Sequence, residues 1–274
     1  MINKNIELIA LDMDGTSYKS LGKHIESNLE PINKVLENGK KVVFVTGRPF
    51  ESEANELHLY NFKKNESFMI AFNGAVIYDI LEKKVIQENV IQKGIVEKVF
   101  EILNKEEYKD TSIWAYSKNN KGIFINKSIE DNKLVEVETK LFDGIIHIVG
   151  KNTIFTDCYK ILLIDFDKKL IEELKEIGLN VFWHDGSISA EVTSKNVDKA
   201  IALKYILKHY NIDPSQVMAM GDGANDIPML DYAGLSIVPA NAKDEIKKHA
   251  KVISKYTFLE GAVGMAIKKY ILGE

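Results

Sequence analysis

Four short apolar runs in the two ends of the sequence each lead directly into acidic, amide, hydroxyl or glycine residues. Each run is rich in aliphatic or aromatic side chains, as is typical of a strand that is buried on both faces. The runs are residues 6–11, 41–45, 68–72 and 217–220. Helices are predicted between and after these runs, at 25–38, 197–210, 226–233 and 259–271. This alternation predicts an α/β fold with a parallel sheet that helices cover on both sides.

The middle of the sequence follows a different pattern. An amphipathic helix is predicted at 94–105 and a further helix at 168–177, with strands at 112–116, 122–126, 159–165, 181–183 and 188–192. Two pairs of these strands flank the turn residues Asn119-Asn120-Lys121 and Asp185-Gly186, so each pair is predicted to be a hairpin. Because hairpins pair antiparallel strands, this part belongs to a separate sheet. We therefore predict a discontinuous α/β domain at 1–81 and 193–274, and an inserted α+β domain at 82–192.

Polar residues that follow the four runs are predicted to meet at one edge of the sheet, because ligands bind beyond the carboxyl ends of strands in open parallel sheets. The segments are Asp12-Met13-Asp14-Gly15-Thr16, Thr46-Gly47-Arg48, Asn73-Gly74 and Gly221-Asp222-Gly223-Ala224-Asn225-Asp226. Asp and Asn are common at turns, and Asp226 is also suited to cap the helix that follows it. The four segments taken together indicate a site instead.

Four carboxylates at this edge would repel one another unless a cation compensated them. They belong to Asp12, Asp14, Asp222 and Asp226. Like charges at close range raise each other's pKa, and one nearby lysine is insufficient to balance four acids. Carboxylate and carbonyl oxygens suit Mg²⁺ better than softer metals, and cysteine and histidine ligands at zinc spacing are absent from the sequence. The pattern therefore predicts Mg²⁺ as the cofactor.

Charge and cysteine content limit the possible partners and compartments. The 274 residues carry a formal net charge of −4, which gives no support to nucleic-acid binding, since that usually requires a basic field. No apolar run approaches the roughly 18–20 residues that cross a bilayer, so no membrane partner is expected. Cys158 is the only cysteine, which excludes an intrachain disulfide and fits the cytoplasm, where we expect the protein. The oligomeric state stays open.

Four sites in the chain resemble, in the same order, the four motifs of the haloacid dehalogenase superfamily. Residues 12–16 resemble the first motif, Thr46 the second, Lys199 the third and residues 221–226 the fourth. Asn73-Gly74-Ala75, the long insert after it and the later segments around Asn241-Ala242 and 260–263 resemble the Cof-type branch, subfamily IIB. The sequence departs from the family pattern at Ser17, Ala200 and Pro239-Ala240, and none of these changes removes a catalytic group. The resemblance implies a Rossmann-like core with an inserted cap domain that selects the substrate.

The resemblance also implies a role for each matching residue. Asp12 would attack phosphorus and form an aspartyl-phosphate, and Asp14 would act as the general acid and then as the general base. Thr46 and Lys199 would bind the phosphoryl group and complete the catalytic set. The implied magnesium ligands are Asp12, Asp14 through its backbone carbonyl, Asp222 and, through water or a more distant contact, Asp226. The substrate-binding set is Thr46, Gly47, Arg48, Asn73, Lys199 and Asn225, with Arg48 able to pair with a cap residue instead.

Three functions are compatible with these residues. The first is a phosphatase that acts on small phosphorylated metabolites, such as sugar phosphates. The second is a phosphotransferase of the same branch, such as a phosphohexomutase, which would need to hold a second phosphate; the chain has very few arginines and none in the insert, which disfavours it. The third is a phosphate-binding module without activity, which the retained Asp12, Asp14 and Asp222 disfavour. In the insert, Trp114, His184 and Asp185 are the candidate substrate contacts.

Overall fold

Two sheets, one of eight strands and one of six, organise the computed structural model of the chain. The structure describes residues 5–19, 22–52, 55–64, 66–118, 122–142, 144–184 and 186–274. The chain divides into two compact units, Met1–Gln87 with Asp198–Glu274, and Glu88–Val197. The predicted turn Asn119-Asn120-Lys121 and the candidate contact Asp185 lie outside the described residues.

The first unit contains the eight-stranded sheet. Its N-terminal elements are β1 (Leu8–Leu11), α1 (Glu26–Glu37), β2 (Lys41–Val45), β3 (Phe68–Ala71), β4 (Val76–Asp79) and β5 (Lys84–Glu88). The elements of the second unit follow: α2 (Lys93–Leu103), β6 (Ser112–Ser117), β7 (Gly122–Ile125), α3 (Val135–Glu138), β8 (Ile145–Ile148), β9 (Cys158–Ile164), α4 (Lys168–Glu176), β10 (Leu179–Phe182) and β11 (Ser189–Ser194). The first unit resumes with α5 (Lys199–Tyr210), β12 (Val217–Met220), α6 (Ile227–Tyr232), β13 (Leu235–Val238), α7 (Asp244–Lys247), β14 (Val252–Ile253) and α8 (Ala262–Ile267).

The strand order of the first sheet is β14-β13-β12-β1-β2-β3-β4-β5. The strands from β14 to β3 are parallel, and β4 pairs antiparallel with β3. In the centre, Ala10 of β1 lies opposite Val43 of β2 on one side and Ala219 of β12 on the other. This arrangement confirms the predicted α/β class, and it brings the carboxyl ends of β1, β2 and β12 side by side.

Helices cover both faces of this sheet because its central strands are apolar on both sides. Successive residues of a strand point to opposite faces. Leu8 packs in one cluster with Leu203 of α5, Met229 of α6 and Ile246 of α7. Its neighbour Ile9 points to the other face and is also fully buried, and on that side α1 contacts β2 and α8.

Some elements differ from their predicted limits. β5 lies in the eight-stranded sheet, although the sequence analysis placed its residues in the insert, and β11 extends to Ser194, beyond the predicted end at 192. The C-terminal helix predicted at 259–271 is divided at Gly261, whose φ of 79° is left-handed. Before this glycine lies a 3₁₀ turn (Phe258–Glu260), and α8 then passes into a π-helical turn (Lys268–Leu272).

The second unit contains the six-stranded sheet, in the order β10-β11-β9-β6-β7-β8. Antiparallel pairing joins β6 with β7 and β10 with β11, as the sequence predicted for these two strand pairs. Residues of α2 and α4, including Val99 and Leu170, share one apolar cluster with Ile161 of β9. Trp114, a candidate substrate contact, is 0% exposed and packs edge to face on Tyr116.

Across the described part of the chain, no helix combines the length and the apolar character that a membrane span requires.

Candidate active site

Backbone hydrogen bonds hold the ends of the central strands together, and the predicted site residues follow those ends. The N–H of Asp12 donates to the carbonyl of Met220 at 2.9 Å, so the end of β1 is tied to the end of β12. The N–H of Thr46 donates to Ile70 at 2.8 Å, and the N–H of Asn73 donates to Thr46 at 3.0 Å. The segments after β1, β2, β3 and β12 therefore meet at one edge of the sheet, as the sequence predicted.

Lys199 is the charged centre of this edge. It is the first residue of α5, where the preceding Asp198 caps the helix by accepting a hydrogen bond from Ile201 N–H at 2.6 Å. Its side chain is 0% exposed, and Nζ lies 2.6 Å from both Asp12 Oδ1 and Asp226 Oδ1. Burial lowers the pKa of Lys199, but attraction to the two carboxylates outweighs burial and raises the pKa above its ordinary value. Lys199 is therefore a fixed positive charge between two acids.

Asp226 connects this lysine to the loop that follows β12. Its Oδ1 faces Lys199, while Oδ2 accepts hydrogen bonds from the backbone N–H groups of Asp222 at 3.0 Å and Gly223 at 2.9 Å. A Cβ added at Gly221 would lie 2.4 Å from Asp226 Cγ, so only glycine fits there. Both oxygens of Asp226 are thus engaged with protein groups, and the residue organises the loop around Asp222.

Asp222 is oriented by two residues to which the sequence analysis gave no role. Thr16 Oγ1 donates to Asp222 Oδ1 at 2.8 Å. Asn241 Nδ2 donates to the carbonyl of Gly15 at 3.0 Å and contacts Asp222 Oδ2 at 3.5 Å, while its Oδ1 accepts from Phe258 N–H at 2.8 Å. The sequence did carry a signal for both residues, because each lies in a segment that resembles the family.

The acids of this edge form a set that suits a divalent cation. Ligand oxygens of Asp12, Asp222 and Asp226 all lie within 4.8 Å of one another. Burial raises the pKa of Asp12 well above its ordinary value and that of Asp222 to about 7, and the charge of Asp226 raises both further. One lysine thus leaves negative charge uncompensated. Since all the donors are hard oxygen atoms, the set fits Mg²⁺.

Asp14 lies apart from this carboxylate set and pairs with Arg48. Arg48 Nε donates to Asp14 Oδ2 at 2.6 Å, and Nη2 donates to Oδ1 of the same carboxylate. The side chain of Arg48 is 2% exposed, whereas that of Asp14 is 41% exposed. The backbone N–H of Arg48 donates to Thr46 Oγ1 at 3.1 Å, and Gly47 links these two residues in the loop. The structure therefore brings Arg48 to a predicted catalytic acid.

Asn73 and Asn225 form a third contact at this edge. Asn225 Nδ2 donates to Asn73 Oδ1 at 3.0 Å, so the loop after β3 is joined to the loop after β12. Asn73 is fully buried and has a left-handed φ of 58°, which asparagine tolerates better than most residues. The predicted residues thus form three contacting groups: Asp12 with Lys199, Asp222 and Asp226; Asp14 with Arg48 and Thr46; and Asn73 with Asn225.

The chain is similar to known proteins over almost its whole length. Residues 9–267 match the sequence model of the haloacid dehalogenase-like hydrolases. The 5-amino-6-(5-phospho-D-ribitylamino)uracil phosphatase YcsE of Bacillus subtilis is 28% identical to the chain, over 98% of this chain and 97% of its own length. The phosphoglycolate phosphatase of Methanobrevibacter smithii is 28% identical, over 98% and 100%. A HAD/COF-like hydrolase from Plasmodium vivax superposes with a TM-score of 0.79 at 28% identity, covering 97% of this chain and 95% of that structure.

Proposed function

Because the chain belongs to the haloacid dehalogenase-like hydrolase family, as a phosphatase of its Cof type, we propose that it hydrolyses small phosphomonoesters with Mg²⁺ through an aspartyl-phosphate on Asp12. The observation that carries this proposal is the buried contact of Lys199 with Asp12 and Asp226, next to Asp222. A carboxylate that is held by a lysine, beside further acids that suit a cation, can attack a phosphorus atom once the negative charges are balanced.

In the proposed first step, an oxygen of Asp12 forms a bond to phosphorus while the bond from phosphorus to the ester oxygen breaks. Asp14 gives a proton to the departing oxygen. In the second step Asp14 takes a proton from water, whose oxygen attacks phosphorus and releases Asp12 and inorganic phosphate. Lys199 contacts Asp12 Oδ1 at 2.6 Å, so it fixes the orientation of the nucleophile and offsets the charge of the incoming phosphoryl group.

The metal would be held by the carboxylates of Asp12 and Asp222 and by the backbone carbonyl of Asp14. Asp226 would support the metal through water or a more distant contact, because its two oxygens already bind Lys199 and the backbone N–H groups of the loop. When bound, Mg²⁺ supplies the positive charge that reduces repulsion between the acids and the phosphoryl group. Thr16 holds Asp222 by donating to Oδ1 at 2.8 Å, and Asn241 Nδ2 contacts Oδ2 at 3.5 Å, so the orientation of this carboxylate is fixed from both sides.

For phosphate binding we propose the hydroxyl of Thr46, the backbone of Gly47, and the amides of Asn73 and Asn225, together with Lys199. These groups follow three strands or begin a helix at the same edge, which is where anions bind in α/β folds. We propose that the unit Glu88–Val197 is the cap domain that selects the substrate. A lid of this kind excludes water and completes recognition of the substrate.

We propose phosphorylated metabolites of small size, such as sugar phosphates and related compounds, as the substrate class. Two relatives that match nearly the whole chain are named for 5-amino-6-(5-phospho-D-ribitylamino)uracil and for phosphoglycolate, which are both small organic phosphates. A cytoplasmic location fits such substrates, and it fits the one cysteine, Cys158, which is a buried thiol.

The test is an assay of the purified protein against a generic aryl phosphate and a panel of metabolite phosphomonoesters, with Mg²⁺ and with chelator. The Asp12→Asn variant is measured beside the wild type, with Asp244→Asn as the matched control because the Asp244 side chain is 95% exposed. We expect turnover that requires Mg²⁺, disappears in Asp12→Asn and persists in the control. A wild type that binds metal but hydrolyses none of the compounds would overturn the proposal in favour of a phosphotransferase or a binding module.

A further inference from the structure

Arg48 is the only arginine in the chain. The chain has 36 lysine and arginine residues in total, and every one except Arg48 is a lysine. A lysine supplies a point charge, whereas the planar guanidinium of arginine donates two parallel hydrogen bonds to one carboxylate. The neighbours of this one arginine show which of these two kinds of contact its side chain makes.

The guanidinium of Arg48 makes such a two-pronged contact with Asp14. Nε donates to Oδ2 at 2.6 Å and Nη2 donates to Oδ1, so both oxygens of the carboxylate are engaged by one planar group. A contact with two parallel bonds fixes the rotation of a carboxylate, which a single bond leaves adjustable. Asp14 itself is 41% exposed, so little else restrains its side chain by packing.

Arg48 is in turn held firmly at both ends. Its guanidinium lies over the ring of Tyr18, 5.4 Å from the ring centroid. That ring is 0% exposed, packs edge to face on Phe44, and its hydroxyl donates to the carbonyl of Asn55 at 2.6 Å. At the backbone, the N–H of Arg48 donates to Thr46 Oγ1 at 3.1 Å and its carbonyl accepts from Phe72 N–H at 3.1 Å. The side chain of Arg48 is thus buried and held in one orientation, and its guanidinium contacts the partly exposed carboxylate of Asp14.

We propose that Arg48 is the positioning residue of Asp14: it acts on the reaction by fixing the orientation of that carboxyl group, and not by binding the phosphate of the substrate. This inference rests on the proposed function, in which Asp14 transfers the protons. Misplacing a catalytic group by about 1 Å costs on the order of 100-fold in rate. Loss of Arg48 should therefore lower kcat and leave substrate affinity almost unchanged.

The first experiment compares Arg48→Lys with the wild type on an aryl phosphate, in the normal background and in Asp14→Asn. An aryl leaving group needs little protonation, so its release in the first step stays measurable in the Asp14→Asn background as a burst of aryl alcohol, although the second step has lost its base. We expect Arg48→Lys to reduce kcat by about 10- to 100-fold. KM and the inhibition constant for inorganic phosphate should stay within about twofold of the wild type. In the Asp14→Asn background, Arg48→Lys should lower the rate by less than about a further twofold, because the effects of residues that act as one unit are not additive. A rise of KM and of that inhibition constant in both backgrounds would overturn the proposal, because it is the signature of a phosphate ligand.

The second experiment needs no turnover. In protein labelled with ¹⁵N-arginine, Arg48 gives the only arginine Nε–H signal, since the chain has no other arginine. We expect this signal to exchange slowly with solvent in the wild type, to shift and exchange faster in Asp14→Asn, and to stay unchanged in Asp244→Asn. An identical signal in Asp14→Asn would refute the pairing. If the wild type hydrolysed nothing, the proposed function would fail, while this signal would still decide whether Arg48 holds Asp14.

Discussion

Lys199 Nζ lies 2.6 Å from Asp226 Oδ1, and this contact joins the first residue of α5 to the loop after β12. Both side chains are almost completely buried, at 0% and 1% exposure. Removing one partner of a buried ion pair leaves the other charge uncompensated, which is costlier than losing the pair as a whole. Under the proposed function, activity and stability would therefore depend on the same atoms at this contact.

Lys199→Met should unfold more easily than the wild type. It leaves Asp12 and Asp226 buried without their ammonium partner, so we expect the free energy of unfolding in the absence of metal to fall by about 3–5 kcal/mol. Urea denaturation measures this free energy of unfolding. Lys208→Met is the control, because Lys208 is an exposed residue of the same helix, and its effect should stay within about 0.5 kcal/mol. Equal midpoints for the two variants would contradict the role given to Lys199.

Metal binding should stabilise the wild type far more than Asp12→Asn. Three carboxylates share one lysine in the site, so the metal-free protein carries excess negative charge there. A bound cation would neutralise this charge, and Asp12→Asn removes part of it. At about 100 times its dissociation constant, Mg²⁺ should add roughly 2.7 kcal/mol to the stability of the wild type. Thermal unfolding with Mg²⁺ and with chelator measures the difference. An equal response of both proteins would mean that Asp12 is not a metal ligand.

Gly15→Ala should weaken metal binding while the fold is kept. The φ of Gly15 is +80°, and an added Cβ would lie 2.5 Å from Asp222 Oδ2. The left-handed conformation costs a non-glycine residue about 1–2 kcal/mol, and the contact would also displace the carboxylate. Gly39→Ala separates the two effects, because Gly39 has the same φ but nothing lies within 4 Å of its added Cβ.

We expect calorimetry to show at least about tenfold weaker Mg²⁺ binding for Gly15→Ala, a loss of roughly 1.4 kcal/mol, and unchanged binding for Gly39→Ala. Both variants should lose similar stability from the backbone strain. If Gly39→Ala also lost Mg²⁺ affinity, general destabilisation and not displacement of Asp222 would explain the result.

His24 and Glu56 should make stability depend on pH away from the metal set. His24 Nδ1 lies 2.7 Å from Glu56 Oε2, and the His24 N–H donates to the same oxygen at 2.8 Å. Burial lowers the pKa of His24, but hydrogen bonds and attraction to Glu56 and Glu26 outweigh it, so the pKa lies above 6.5. Burial likewise raises the pKa of Glu56, but hydrogen bonds from His24 outweigh it and bring the pKa below 4.5.

The signs of these shifts define a window of stability. The contribution of His24 is fully present below pH 6.5 and is lost as the pH rises through its raised folded pKa. That of Glu56 is present above pH 4.5 and is lost as the pH falls through its lowered folded pKa. The pair therefore stabilises most between pH 4.5 and 6.5. His24→Asn should flatten the decline of Tm above this window, whereas His147→Asn, at an exposed position in β8, should leave it as in the wild type. An unchanged slope in His24→Asn would exclude the pair as its cause.

The sequence predicted the parts of the site that depend on strand ends. Asp12 and Asp222 follow apolar runs that are typical of buried strands, and parallel strands bring their carboxyl ends to one edge, so the pattern predicted their proximity. It did not predict that Arg48 would contact Asp14. The direction of that side chain depends on Tyr18 and Phe44, whose packing is tertiary and leaves no periodic signal in the sequence.

The peripheral strands were missed for a related reason. β5 is a short strand of partly exposed and polar residues, and β14 has only two residues, so neither shows the continuous apolar run of a central strand. The central strands and the helices that cover them were predicted closely, as for α1 and β2, because burial on both faces leaves a strong pattern. The eventual place of β5 in the first sheet depends on pairing with β4, which local sequence does not encode.

The position of β1 between β2 and β12 sets the order of events while the chain is being synthesised. β2 leaves the ribosome soon after β1, but β12 begins only at Val217, and at about 5–20 residues per second this delay lasts on the order of ten seconds or more. Throughout that interval one side of β1 has no partner strand, and for most of it Lys199, the partner of Asp12, has not been synthesised. The unit Glu88–Val197, which has its own apolar cluster, is completed in the meantime. The second unit is thus fully synthesised before β12 can complete the sheet of the first unit.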